Sequence, residues 1–288
     1  MPAVEYTSIP AVRPAHYAGS WYPGDAAALR RSIEGYLAHA RPIALPGPAL
    51  ALVSPHPGHQ FGGPIAAQAF AQVRSQAVRC VVLLGPLHRL IRGSALGDFM
   101  VPREQSYATP LGRIPLDVDF ITALSQRVPL TFVQGDQEHS LEIELPFLQV
   151  ALPAFRLVPI MMGANISDPD TPAALERLAA GLAGLADEGT LFVSSTDLSH
   201  LDDYHEVVRV DRRMVELVEA FDIPALVKAL AWGEVYACGA TGLVAALRAA
   251  QLRGASGARV LSYMNSGDVT GDRTPGNYTV GYMAVAAY

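Results

Sequence analysis

Lysine is almost absent from this 288-residue chain, since Lys228 is the only lysine among its 21 basic residues. Acidic residues number 27, which gives a formal net charge of −6. A chain without a basic excess does not neutralise a run of phosphates, so we predict no nucleic-acid binding. Charged residues make up only 17% of the chain and hydrophobic residues 50%. That balance excludes an intrinsically disordered protein.

Long apolar runs and cysteines are scarce as well. The longest uncharged apolar run, 235–246, is shorter than the roughly 18 residues that a membrane-spanning helix needs. Residues 1–14 lack the cationic and apolar segments of a signal peptide. We therefore predict a cytoplasmic protein that makes no membrane contact. The two cysteines, Cys80 and Cys238, are too few for a disulfide framework.

Apolar runs alternate with amphipathic segments along the whole chain, which is typical of an α/β fold. Predicted strands are Ala49–Ser54, Arg79–Gly85, Arg156–Met162, Thr190–Ser195, Arg259–Asn265 and Tyr278–Ala287. Predicted helices are one capped by Asp25, then Ala173–Leu185, Tyr204–Ala220 and Gly239–Leu252. Because no linker divides the chain, we predict a single domain over residues 1–288, with a central mixed or mostly parallel sheet flanked by helices.

Three predicted strands are each followed by a histidine. His56 follows the first strand, His88 the second and His200 the fourth. The carboxyl ends of parallel strands meet at one edge of the sheet, where α/β proteins bind their ligands. A single histidine there is more often a core residue that bonds to the backbone, but three at equivalent positions favour a shared site.

The two cysteines differ in their surroundings. Cys238 lies at a glycine-flanked junction that opens an apolar helix, where a thiol is expected to have a lowered pKa and to bind metals. The alternative is that Cys238 is a small core residue, as free cysteines often are. Cys80 opens an apolar strand, and we interpret it as a packing residue.

The segment 136–142 combines several titratable side chains. One interpretation is a solvated helix start capped by Ser140. The other is that His139 and a glutamate line a cleft and orient metal-bound imidazoles. Spacing alone does not separate the two interpretations.

Two imidazoles and one thiolate are donors suited to Fe(II), Cu or Zn. Two histidines and one anionic ligand, with open positions, resemble the arrangement that non-heme Fe(II) oxygenases use. His200 then remains available as a general acid or base that Asp197 orients. The chain contains no G-x-S-x-G motif, P-loop or G-x-G-x-x-G fingerprint, so we predict no serine hydrolase and no nucleotide cofactor.

Many short motifs together resemble the Memo family, also called AmmeMemoRadiSam system protein B. They extend nearly from end to end and are Arg13-Pro14, Tyr22-Pro23, Ser54-Pro55-His56-Pro57-Gly58, Leu84-Gly85-Pro86-Leu87-His88, Thr109-Pro110-Leu111-Gly112, Glu138-His139-Ser140-Leu141-Glu142, Val158-Pro159-Ile160-Met161-Met162-Gly163, Ser195-Thr196-Asp197-Leu198-Ser199-His200, Cys238-Gly239 and Ser266-Gly267-Asp268. The resemblance implies a fold similar to that of class III extradiol dioxygenases.

The same resemblance implies roles for individual residues. The metal ligands fall on His56, His88 and Cys238, with the cysteine where the dioxygenases carry a glutamate. Catalytic roles fall on His200, Asp197 and His139. We assign substrate contacts to His59, Arg89 and Glu142 at the cleft. His59 and Arg89 depart from the residues that the family usually has at these positions.

Three functions are consistent with these residues. The first is a metal-dependent oxidoreductase with Fe(II) or Cu, or Zn, and an undefined substrate. The second is a non-enzymatic module in which Arg89 and Arg92 help to hold a peptide or partner protein. The third is copper sequestration through Cys238. The family resemblance also implies partners of the radical-SAM and AMMECR types.

Overall fold

The computed structural model describes residues 11–89, 91, 94–95 and 97–288. Arg92, expected to hold an anionic partner, lies outside these residues. Within the described part of the chain, no helix combines the length and the apolar character needed to cross a membrane.

The strands and helices alternate along the chain. The strands are β1 Val12–Arg13, β2 Ala51–Ser54, β3 Cys80–Pro86, β4 Phe99–Pro102, β5 Ser106–Thr109, β6 Gly112–Pro115, β7 Thr131–Val133, β8 Arg156–Met162, β9 Thr190–Ser195, β10 His200–Leu201, β11 Ala258–Asn265 and β12 Thr279–Ala287. The helices are α1 Ala26–His39, α2 His59–Ala71, α3 Val118–Ser125, α4 His139–Glu142, α5 Leu145–Ala151, α6 Thr171–Ala183, α7 Tyr204–Ala220, α8 Ile223–Ala231, α9 Ala240–Leu252 and α10 Ser266–Thr270.

A mixed sheet forms the centre of the fold, in the order β10-β12-β2-β9-β3-β8-β4-β7, with β11 also paired to β12. Its middle strands β2, β9, β3 and β8 run parallel to one another, whereas β12 and β4 join them in antiparallel orientation. Helix α9 packs against β2, β3 and β9, and α2 packs against β2, β11 and β12. The predicted α/β class with a central mixed sheet flanked by helices is therefore confirmed.

The apolar runs of the central strands are explained by their burial, since both faces of the sheet are covered. Every residue of β2, β3 and β9 is buried, as expected for parallel strands beneath helices. Cys80 at the start of β3 is 8% exposed and belongs to the hydrophobic core, which confirms its interpretation as a packing residue.

One of the two N-cap residues expected from the sequence is observed, and the other is replaced by a neighbour. The side chain of Asp25 accepts a hydrogen bond from the backbone of Ala28 and caps α1, as predicted. At α4 the expected cap Ser140 is wrong, because Glu138 is the N-cap and its carboxylate accepts from the Ser140 backbone. Pro146 then opens α5 at a position where a missing N–H costs nothing.

A second, small sheet of β1, β5 and β6 fastens the start of the described chain to the main body. The side chain of Arg13 in β1 is fully buried. Its guanidinium pairs with Asp136 at 2.8 Å and with Glu142 at 2.5 Å, and it lies 4.8 Å from the ring centre of Tyr107. These contacts hold the following segment, which includes Trp21, over the carboxyl edge of the main sheet.

Candidate metal centre

Three adjacent parallel strands deliver polar residues to one edge of the sheet. His56 lies two residues beyond the end of β2, Asp197 two residues beyond β9 and His88 two residues beyond β3. Since β9 pairs with both β2 and β3, Asp197 stands between the two histidine loops. The backbone N–H of His56 donates to Asp197 Oδ1 at 2.9 Å, which joins two of these loops directly.

Cys238 reaches the same edge from the loop that precedes α9. Its backbone N–H donates to the carbonyl of Asp197 at 3.2 Å, and the Asp197 N–H donates to Cys238 Sγ at 3.2 Å. Gly239 permits this close approach, because a Cβ there would lie 2.6 Å from the carbonyl oxygen of Ser195. Glycine is therefore required beside the cysteine to place the thiol against the end of β9.

The ligand atoms of His56, His88 and Cys238 all lie within 4.8 Å of one another. His56 Nε2 is 3.4 Å from Cys238 Sγ. A zinc-like ion bound tetrahedrally to an imidazole nitrogen and a thiolate sulfur separates these donors by about 3.6 Å. The three side chains are thus spaced to hold one metal ion, and the nitrogen and sulfur donors fit Fe(II), Cu or Zn.

Hydrogen bonds orient both imidazoles of this group. His56 Nδ1 lies 2.9 Å from Ser195 Oγ. His88 Nδ1 lies 2.9 Å from Glu138 Oε1, and the His88 backbone N–H donates to Glu138 Oε2 at 2.7 Å. In both rings Nδ1 is engaged by a neighbour, so Nε2 is the nitrogen left for a metal.

His139 stands beside His88 and shares its anchor. Its Nδ1 is 3.1 Å from Glu138 Oε1, and its ring stacks on that of His88 at 4.3 Å between centroids. The ring of Trp21 also contacts that of His139, at 4.6 Å between centroids. Burial alone would raise the pKa of Glu138, but hydrogen bonds from His139, His88 and Ser140 hold it well below its usual range. Glu138 is therefore a carboxylate that fixes two imidazoles.

A cavity of about 440 Å³ opens over these groups. Its lining includes Ser20, Trp21, His56, Pro57, Gly58, Gln60, Phe61, His88, His139, Asp197, His200, Val280 and Tyr282. His200 is exposed at this wall, and its Nδ1 lies 2.8 Å from the hydroxyl of Tyr278. The structure thus brings His56, His88, His139, Asp197 and His200 to one cavity.

The site's titratable groups have shifted pKa values because they are buried. Burial lowers the pKa of His56 well below its usual value, and the neighbouring His139 and His88 lower it further. Burial raises the pKa of Asp197 to about 7, against the opposing effects of the His56 N–H and of His88.

The thiol of Cys238 departs from the sequence-based expectation. Burial, reinforced by the charge of Asp197, raises its pKa to about 12. The expected lowering near a helix N-terminus is therefore wrong for the metal-free chain, because desolvation outweighs the hydrogen bonds that favour the thiolate. A bound metal would displace the thiol proton directly.

Two of the three residues expected to contact substrate, His59 and Glu142, do not line the cavity. The ring of His59 is buried against Tyr22 and Phe147, and its Nε2 lies 3.1 Å from the Ile143 carbonyl. The carboxylate of Glu142 is fully buried. It takes hydrogen bonds from the side chains of Arg13 and Tyr22 and from the backbone N–H groups of His16 and Tyr17.

The structure therefore corrects the expected place of both residues: His59 packs in the interior, and Glu142 anchors the segment that carries Trp21. Arg89 is exposed next to His88. Burial raises the pKa of Tyr17, and the charge of Arg89 opposes that rise.

A glutamate of segment 136–142, Glu138, orients the imidazoles as the second interpretation expected, whereas sequence reasoning missed two other supporting groups, Ser195 and Tyr278. Glu138, Ser195 and Tyr278 each hold the Nδ1 of a histidine that faces the cavity. For Glu138 and Ser195 a signal existed, since one directly precedes His139 and the other ends a strand beside His56. Tyr278 had none, because 78 residues separate it from His200.

The fold and the clustered donors define an α/β protein with a candidate metal centre at the carboxyl edge of its sheet. Residues 13–286 match the family described as Memo-like protein. A "MEMO1 family protein" of Methanopyrus kandleri is 32% identical over 93% of this chain and 96% of that protein. Another, of Thermotoga maritima, is 32% identical over 94% and 98%. The chain belongs to the Memo-like family.

A solved structure of an uncharacterized protein from Escherichia coli K12 is also similar. It is 14% identical, with a TM-score of 0.47, and the match covers 81% of this chain and 98% of that chain.

Proposed function

We propose that this protein is a metal-dependent oxidoreductase whose ion is Fe(II) or Cu, held by His56, His88 and Cys238. The observation that carries the proposal is the placement of these three ligand atoms within 4.8 Å of one another, with His56 and His88 lining the cavity of about 440 Å³. Zn fits the same donors but supplies no redox change.

The ligand set has the character of a reactive rather than a purely structural site. Three protein ligands leave coordination positions for a substrate, whereas structural zinc sites use four. When bound, a redox-active ion would supply electron exchange with substrate or oxygen at those positions. The likeness to class III extradiol dioxygenases stays a prediction within this proposal.

Other side chains at the cavity supply proton chemistry. His200 has its Nδ1 engaged with Tyr278, so its Nε2 is left to exchange a proton with a ligand in the cavity. Asp197 has a pKa raised to about 7, which suits proton transfer near neutral pH. Trp21 forms part of the cavity wall beside His139.

Elemental analysis after anaerobic reconstitution with Fe(II) or Cu(I) tests the proposal. We expect one ion per chain in the wild type and less than a tenth of that in His56→Ala. His39→Ala is the matched control, because His39 is an exposed histidine at the end of α1 and should leave the metal content unchanged. Equal metal in the wild type and His56→Ala, or none in either, would contradict the proposal.

Copper sequestration is the second candidate, and the soft thiolate donor of Cys238 favours it. Oxygen consumption by the loaded protein separates the two functions. An oxidoreductase consumes oxygen or reduces an added acceptor, and a sequestering protein holds Cu(I) without doing so.

Partners of the radical-SAM and AMMECR types belong to this proposal as well. Loss of Cys238 that leaves partner capture intact while removing the metal would favour a binding module whose partner surface is independent of the metal.

A further inference from the structure

Glu144 is a fully buried glutamate immediately before α5 that no function above uses. Its Oε1 lies 2.9 Å from Ser195 Oγ, the hydroxyl that holds Nδ1 of His56. Among the ion pairs of the described residues, none involves Glu144. A buried carboxylate without a cation is costly, so the protonation of this group needs an explanation.

The hydroxyl of Ser195 has one proton and three partners. They are the carbonyl oxygen of Ser140 at 2.6 Å, Nδ1 of His56 at 2.9 Å and Oε1 of Glu144 at 2.9 Å. A carbonyl oxygen only accepts, so the shortest contact takes the hydroxyl proton. The hydroxyl oxygen then has two lone pairs left, and each of the other partners must donate to one of them.

Two protonation states follow from this arrangement. His56 carries its proton on Nδ1, which leaves Nε2 free on the side of Cys238. Glu144 carries a proton on Oε1, and Oε2 is its carbonyl oxygen. Oε2 is buried and has no hydrogen-bond partner, a situation that a neutral acid tolerates better than a carboxylate.

Electrostatics agrees with the geometry. Burial raises the pKa of Glu144 to about 8, and the charge of Asp197 adds to the rise, against the opposing effect of the Ser54 and Ser195 hydroxyls. An ionised Glu144 would compete for the Ser195 proton and leave the 2.6 Å contact with the Ser140 carbonyl without one.

We propose that Glu144 is a carboxylic acid held neutral in the folded protein, and that it positions Ser195, and through it His56, by donating a hydrogen bond. The positioning role rests on the proposed metal-binding function, whereas the neutral state does not. Glu144 contacts no proposed ligand directly; it fixes the hydroxyl that fixes the imidazole.

Isotope-edited infrared spectroscopy of the metal-free protein at pH 6 tests the neutral state. With ¹³C-labelled glutamate, we expect the wild type to show the C=O stretch of a protonated acid that is missing in Glu144→Gln. Glu104→Gln is the matched control, because Glu104 is another buried glutamate but its carboxylate accepts a hydrogen bond from the backbone N–H of Gly135 at 2.8 Å. It should leave that band in place. Absence of the band from the wild type, or its loss only in the Glu104 variant, would overturn the inference.

Variants that separate hydrogen-bond donation from charge test the positioning role. Glu144→Leu removes the donor and should weaken metal binding 10- to 100-fold, the usual effect of losing a group that supports a ligand. Glu144→Gln keeps a neutral donor and should restore the affinity to within about threefold of the wild type. If Gln weakens binding as much as Leu, or if neither variant does, the positioning role is wrong.

Nitrogen NMR of His56 in the metal-free protein provides a readout that does not depend on metal. The Nδ1 resonance of His56 should shift in Glu144→Leu and stay in place in Glu144→Gln and Glu104→Gln. A wild type that binds no metal but shows the acid band would overturn the proposed function and leave the neutral state of Glu144 standing. An unshifted His56 resonance in Glu144→Leu would overturn the positioning role.

Discussion

Two buried glutamates six residues apart stand behind the two histidines of the candidate metal centre, and we infer that one is a charged carboxylate and the other a neutral acid. Glu138 stands behind His88 and takes hydrogen bonds from two imidazoles and two backbone N–H groups. Glu144 stands behind His56, and the groups that bear on it in the described chain are serine hydroxyls, that of Ser195 at 2.9 Å and that of Ser54. The first has a pKa held below its usual range, and the second has a pKa raised to about 8.

The difference shows that donors, rather than burial, decide whether a carboxyl group in this site is charged. Both glutamates are almost entirely shielded from solvent, with exposures of 4% and 0%. Where several N–H groups converge, the carboxylate is stable, and where only serine hydroxyls are near, the neutral acid is stable. Glu142, between them, follows the same rule because Arg13 pairs with it.

The largest expected effect on stability comes from removing Arg13, the cation that pairs with the Glu142 carboxylate. Arg13→Met leaves Glu142 and Asp136 buried without their partner, and we expect a loss of about 3–5 kcal/mol in the free energy of unfolding. Denaturant titration measures it. Arg79→Met is the control, since the exposed pair of Arg79 with Asp187 should contribute less than about 1 kcal/mol. Equal losses in the two variants would refute the rule.

Glu138→Gln should lower the free energy of unfolding less than Arg13→Met does. It should lower both stability and metal affinity far more than Glu144→Gln does. The amide N–H₂ of Glu138→Gln must face either the His88 backbone N–H or the imidazole donors, so one donor loses its acceptor. We expect a loss of about 2 kcal/mol in stability and 10- to 100-fold in metal affinity. Equilibrium unfolding and anaerobic metal titration check both values. A Glu138→Gln variant as stable as Glu144→Gln would remove the distinction between the two sites.

The pH dependence of stability gives a smaller and more specific signal. Between the ordinary glutamate pKa of 4.5 and about 8, folded wild type keeps a proton on Glu144 that the unfolded chain has lost. Its contribution to stability therefore falls as pH rises, by about 1.4 kcal/mol per pH unit within that window. Glutamine does not titrate, so Glu144→Gln does not show this fall in stability. Its free energy of unfolding should therefore rise relative to that of the wild type from pH 5 to pH 8. Parallel pH profiles would mean that Glu144 does not hold the proton.

The sequence predicts the central strands and the ligand positions well for a physical reason. Strands β8 and β9 coincide with the predicted segments, because β8 is apolar from residue 157 to residue 162 and is followed by a glycine, and β9 ends in two serines. Histidines that follow such strands necessarily meet at one edge, so the approach of His56 to His88 needs only the parallel order of β2, β9 and β3.

Which glutamate supports which histidine could not be predicted, because the pairing depends on packing between distant segments. Glu138, Glu142 and Glu144 are alike in the sequence. They differ only in whether Arg13, two imidazoles or a serine hydroxyl folds against them. The raised pKa of Cys238 likewise follows from burial, which a glycine-flanked junction does not reveal.

X-ray absorption spectroscopy of the anaerobically metal-loaded protein identifies the atoms bound to the ion. We expect one sulfur scatterer at about 2.3 Å and two imidazole nitrogens at about 2.1 Å from the ion, and loss of the sulfur shell in Cys238→Ser. A metal coordinated by nitrogen and oxygen alone in the wild type would contradict the assignment of His56, His88 and Cys238 as its ligands.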